Sequence, residues 1–144
     1  MKKLSDFYKS RSTNTELVRR VSSLTFVEVD NSVYDIIGDV DFNDLELSSL
    51  LKATVFLKEL TSSKAPIRLR RVQGDFKCNR NHLTDLKGAP EYVGNNFDCS
   101  YNKLVSLEGA PKYVGGVFEC GLNPRKFTVE EVRKLISVKD QIWT

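Results

Sequence analysis

The chain has 144 residues, 40% of them hydrophobic, and sets 22 lysines and arginines against 19 aspartates and glutamates for a formal net charge of +3. That is the length and composition of about one ordinary globular domain. It excludes a membrane span, because no apolar run approaches the roughly 20 residues that cross a bilayer, and no segment carries the single-sign excess of a dedicated nucleic-acid surface.

The start, Met1-Lys2-Lys3, lacks the apolar stretch of a signal peptide, so a cytoplasmic location is expected. Thr13 and Glu16 form a T-x-x-E capping box ahead of Leu17, Val18 and Val21, which predicts a short helix. Leu24–Val29 and Val33–Ile37 flank Asp30-Asn31-Ser32 and read as a hairpin. An acidic cluster follows (Asp39, Asp41, Asp44, Glu46), then a stretch from Leu50 to Leu60 whose leucine spacing fits a helix while Thr54-Val55-Phe56 favours a strand. A basic cluster (Lys64, Arg68, Arg70, Arg71) overlaps an alternating segment from Ile67 that should be a strand.

From Val72 the chain repeats itself. VQGDFKCNRNHLTDLKGAPEY, VGNNFDCSYNKLVSLEGAPKY and VGGVFECGLNP align without gaps at a period of 21 residues, superposing Val72/Val93/Val114, Phe76/Phe97/Phe118, Cys78/Cys99/Cys120 and Asn81/Asn102/Asn123. Phe-x-Cys puts two apolar side chains on one side of an extended segment. The Asn that follows can turn its amide inward onto backbone groups left unpaired by a bend. Leu83/Leu104 and Leu86/Leu107 continue the apolar edge, and Gly-Ala-Pro turns the chain without a helix. Val40, Phe42, Leu47 and Leu50 repeat these offsets upstream, with Leu45 in place of the Asn, as an interrupted copy within residues 36–50.

Phe-x-Cys-x-x-Asn-x-Leu resembles the leucine-rich-repeat core L-x-L-x-x-N-x-L, and the fuller wording is similar to repeat proteins encoded by large tailed bacteriophages. The resemblance implies an α+β fold: a short leucine-rich-repeat-like solenoid over residues 72–124, a mixed α/β cap over 1–71, and a C-terminal capping helix within 125–144, all in one continuous domain. It also implies a non-catalytic factor that binds and modulates or inhibits a host protein in the host cytoplasm. Arg125 stands where a third Leu is due, so the repeat ends there. Thr128 and Glu131 then form a second capping box for a helix expected over Val129–Lys139, with Val132, Leu135 and Ile136 on the packed face. Ile142 and Trp143 either extend that cover or anchor a partner.

The three cysteines lack C-x-x-C spacing, and the lone histidine, His82, gives no metal set; the repeat points the thiols inward as small apolar side chains. No nucleophile–base pair and no phosphate loop stands out, so neither catalysis, cofactor nor metal is expected. Residues flanking Phe and Cys should point outward instead and form the candidate protein-binding face: Asp75, Lys77, Asn79, Arg80, Asn96, Asp98, Ser100, Tyr101, Val117 and Glu119. The competing readings are nucleic-acid binding by Lys64, Arg68, Arg70 and Arg71, extended by Arg19, Arg20, Arg125 and Lys126, and a structural part of a larger particle that covers Trp143.

Overall fold

The computed structural model describes residues 16–144 except 18, 22, 62 and 64, so Thr13 of the first capping box and Lys64 lie outside the described residues. The described residues between 16 and 21 are helical, with Leu17 and Val21 buried. Strands β1 (Thr25–Asp30) and β2 (Val33–Ile37) form the expected hairpin, antiparallel, with Ser32 in the left-handed region at φ 58°. β3 (Val40–Asp41) follows, then helix α1 (Leu50–Thr61). Leucine spacing prevails over the β-branched run there because Leu50, Ala53 and Leu57 bury one helical face, while the Thr54 hydroxyl donates to the Leu51 carbonyl.

Each repeat then contributes two very short strands. β4 (Arg68–Val72), β6 (Tyr92–Val93), β8 (Tyr113–Val114) and β10 (Ser137–Val138) continue the sheet begun by β1 and β2, in the order β1-β2-β4-β6-β8-β10. β5 (Phe76–Lys77), β7 (Phe97–Asp98), β9 (Phe118–Glu119) and β11 (Ile142–Trp143) join β3 in a second sheet, β11-β9-β7-β5-β3. Apart from the β1–β2 hairpin, the pairings are parallel.

This architecture corrects the expected class. The chain is an α/β fold of two mostly parallel sheets with few helices, not an α+β leucine-rich-repeat-like solenoid. The physical reason lies in the Tyr-Val pairs at 92–93 and 113–114, which build a second ladder where an extended segment was expected only at Phe-x-Cys. Residues 25–41 also pair edge to edge with the repeats, supplying strands to both sheets.

The core lies between the ladders. Phe76, Phe97 and Phe118 pair in register and stack, with centroids 5.5 Å apart and planes within 6° and 4° of parallel. Phe42 closes the column edge-on at 5.9 Å, and Val40 pairs with Phe76 one strand earlier, at an offset of 36 residues rather than 21. The repeating Asn side chains bind the turns together. Asn102 is typical: its Oδ1 accepts from Leu83 N–H at 3.0 Å, and its Nδ2 donates to the carbonyls of Cys78, Cys99 and Ser100. Asn81 and Asn123 repeat the pattern one turn below and above. Gly94 and Gly115 mark the closest backbone approach, since a Cβ there would lie 2.0 Å from the Gln73 carbonyl oxygen or 2.1 Å from that of Gly94.

At the C-terminal end, helix α2 (Val129–Leu135) starts on the expected Thr128–Glu131 capping box, with both reciprocal bonds formed. It stops four residues before the expected Lys139, because Ile136 is extended and leads into β10. Val132 and Ile136 are buried, whereas Leu135 is 62% exposed and off the packed face. No helix among the described residues is long and apolar enough to cross a membrane.

One backbone feature recurs without glycine. Arg80, Tyr101 and Leu122 hold left-handed φ values of 55°, 52° and 57° at one position in successive repeats. This conformation costs a non-glycine residue about 1–2 kcal/mol. Leu122→Gly is therefore expected to raise stability by about 0.5–1 kcal/mol, the strain relieved exceeding the extra entropy of glycine in the unfolded chain. Urea unfolding of the two proteins measures it.

Candidate protein-binding face

Register fixes which side chains share the outer face of the second sheet. Asp41, Lys77, Asp98, Glu119 and Trp143 are consecutive partners across β3, β5, β7, β9 and β11. Of the ten residues expected on this face, Lys77, Arg80 and Tyr101 are exposed, and Asp98, Glu119 and Val117 are half-buried.

The other four do different work. Asp75 and Asn96 are rungs of a ladder: Asp39 Oδ1 accepts from Asp75 N–H at 2.7 Å, Asp75 Oδ1 from Asn96 N–H at 3.0 Å, and Asn96 Oδ1 from Val117 N–H at 2.8 Å. One side-chain oxygen of each is thereby taken up by the backbone of the next turn. Ser100 is only 3% exposed, its hydroxyl donating to Asp98 Oδ1, so it is withdrawn from the surface. Asn79 is half-buried, with its Oδ1 enclosed and lacking a hydrogen-bond partner among the described residues.

Sequence reasoning left out Leu122. It stands 21 residues after Tyr101 and is 66% exposed, beside Tyr101 at 48% and Trp143 at 52%. Backbone bonds link their neighbourhoods: Tyr101 N–H donates to the carbonyl of Gly121, next to Leu122, and Cys120 N–H to that of Trp143. The repeat period alone could have found Leu122.

Charge on this face is uneven. Asp98 and Glu119 are neighbours without an ion pair among the described residues, while Lys77 Nζ lies 3.9 Å from Asp75. Partial burial, and secondarily the Asp98 charge, raise the Glu119 carboxyl above its ordinary range. A carboxyl raised in the folded state holds its proton more tightly there than when unfolded. Its ionised form thus costs stability above the folded pKa, and the cost is absent below the unfolded value of roughly 4.3. Glu119→Gln is accordingly expected to raise the melting temperature near neutral pH, an advantage that shrinks to nothing as the medium is acidified through that range.

The basic cluster is committed internally. Arg70 forks onto Asp35 at 2.9 and 2.6 Å and holds that carboxyl below its usual range. Arg68 pairs with Glu91 at 2.9 Å, and Arg71 lies 4.2 Å above the Tyr92 ring. Tyr92 stacks in turn on Tyr113 at 4.5 Å, with Lys139 Nζ 6.0 Å from the latter ring. Among the proposed extensions, Arg19 and Arg20 pair with Glu16 and Arg125 with Glu131, while Lys126 is exposed. Arg68, Arg70 and Arg71 thus lie on one strand, the first two already paired with carboxylates and the third over a ring.

Cys78, Cys99 and Cys120 are buried and unbridged. Burial pushes the Cys78 and Cys99 thiols well up and that of Cys120 to about 11, so thiolate, the reactive form, is scarce. Among the described residues no three His, Cys, Asp or Glu side chains are grouped to hold a metal ion. A groove of about 700 Å³ opens between residues 105–110 and α2, lined by Val105, Leu107, Ala110, Phe127 and Leu135. Its rim charges are paired, Arg125 with Glu131 and Lys134 with Glu130. No family model, curated protein or solved structure matches the chain.

Proposed function

We propose that this chain is a non-catalytic protein-binding module that docks its partner on the outer face of the second sheet and the edge beside it. The observation that carries the reading is the exposure of Tyr101, Leu122 and Trp143 on neighbouring strands and turns, beside Asp98 and Glu119, which form no ion pair among the described residues. Large aromatic and aliphatic side chains at the centre of a patch supply most of the energy of a protein interface. The nucleic-acid alternative is weakened because the arginines it relies on already have partners within the fold. The similarity of the repeat wording to proteins of large tailed bacteriophages makes proteins of a bacterial host the partners to test first, with modulation or inhibition as the role.

The test is capture from bacterial lysate by the tagged protein, at low and high salt with nuclease present. One stoichiometric protein retained at high salt is expected. Leu122→Ala/Trp143→Ala should weaken its binding by about tenfold or more while leaving the melting temperature unchanged. Recovery of nucleic acid alone, lost at high salt, would overturn the proposal in favour of the basic cluster.

A further inference from the structure

We infer that the outer face of the second sheet contains a seat for an arginine side chain of the partner, formed by the carboxylates of Asp98 and Glu119 and the indole of Trp143. The inference rests on the protein-binding reading and specifies the chemistry of what is bound.

The three residues are consecutive register partners on β7, β9 and β11, so their side chains leave the same face about 4.8 Å apart from strand to strand. That spacing suits a guanidinium lying across two carboxylates. Asp98 uses only Oδ1 internally, accepting from the backbone and hydroxyl of Ser100. Its Oδ2 and both oxygens of Glu119 accept no hydrogen bond among the described residues, and neither carboxylate has an ion pair there. Two half-buried carboxylates therefore stand side by side without an ion pair among the described residues, since Lys77, the next partner in the row, lies 3.9 Å from Asp75.

Four other rings have cations of their own. Arg71 covers Tyr92, Arg80 covers Tyr101, Arg125 covers Phe127, and Lys139 faces Tyr113. Trp143 has no such cation among the described residues, although indole is the aromatic group that attracts one most strongly. Its ring nitrogen donates to Gln141 Oε1 at 3.0 Å, which steadies the indole beside Glu119. A partner cation completes the same motif that the fold completes for itself at the other rings. Arginine fits better than lysine, because its planar fork can bond carboxylate bidentately and stack on the indole at once. Tyr101 and Leu122 add apolar contact for the residues flanking that arginine.

The experiment titrates three blocked tripeptides, Leu-Arg-Leu, Leu-citrulline-Leu and Leu-Glu-Leu, into the full chain labelled with nitrogen-15. Citrulline keeps the shape of arginine and removes its charge. The arginine peptide is expected to shift the amides of 98–101, 119–122 and 143 and the Trp143 indole N–H. The citrulline peptide should bind about tenfold more weakly or worse, and the glutamate peptide not at all. Asp98→Asn/Glu119→Gln, whose native spectrum verifies its folding, should lose the arginine preference. Equal binding of arginine and citrulline peptides, shifts confined to other surfaces, or no shifts with any peptide would each overturn the seat. Equal binding at this face would leave the protein-binding reading standing. Failure of the lysate capture, with arginine selectivity intact, would count against that reading alone.

Discussion

Phe97→Ala is expected to cost about 3–5 kcal/mol of folding stability. Phe97 is fully buried, and its ring lies between those of Phe76 and Phe118, each 5.5 Å away. Truncation removes both stacking contacts and leaves a cavity whose walls cannot close. The flanking phenylalanines belong to β5 and β9, strands themselves fixed by parallel pairing to further neighbours. A domain of this size has about 5–15 kcal/mol in total, so the loss is a large share. Chemical denaturation gives the value, and a loss below about 1 kcal/mol would contradict the packing. Phe42→Ala should cost less, since Phe42 meets one ring of the column, edge-on.

Asn102→Ala is expected to cost about 2–4 kcal/mol by orphaning buried polar groups. The Leu83 N–H loses its acceptor outright. The Cys78 and Cys99 carbonyls keep a donor from Asn81 and Asn123 respectively, which limits the damage. Asn79→Ala is the matched control. Its enclosed Oδ1 has no hydrogen-bond partner among the described residues, so removal orphans nothing and should leave stability unchanged or raised. The contrast separates an asparagine that ties two successive turns together from one that leaves its side-chain oxygen unbonded. Equal effects at the two positions would refute this division of labour.

The sequence made part of this fold legible. Phe-x-Cys spacing located the second sheet, and Phe76, Phe97 and Phe118 do pair in register. The β1–β2 hairpin and the Thr128–Glu131 box were read directly, because turn and cap chemistry are local. The repeat strands of the first sheet were hidden for a physical reason. Tyr92–Val93 and Tyr113–Val114 are two residues long, as are the second-sheet strands, but lack the Phe-x-Cys alternation that marked those, and their stability comes from neighbours many residues away. The α/β class follows from that ladder and so was missed as well.

The candidate face was harder to read than the core. An Asp or Asn beside a turn looks the same in sequence whether it faces solvent or accepts a backbone N–H. Asp75 and Asn96 proved to do the second, and Ser100 turned to Asp98. The pairing of Arg70 with Asp35 depends on β2 lying beside β4, which local sequence does not announce. Trp143 joins the face 24 residues after Glu119, outside the 21-residue period, because α2 and the extended segment after it lengthen the last connection.

The in-register stacking of like on like bears on how such a chain can change length. The interior repeat presents Phe97 and Val93 to an identical residue on either side, and Tyr113 to one on one side, so its upper and lower surfaces are closely alike. Duplicating residues 93–113 in place would give the new copy the neighbours the old one had and lengthen both sheets by one strand spacing of about 4.8 Å. Unequal recombination between the repeated stretches of the gene would produce that duplication in one step. Each such event would add one outward position between Asp98 and Glu119, a place for selection to write a new contact without disturbing the core.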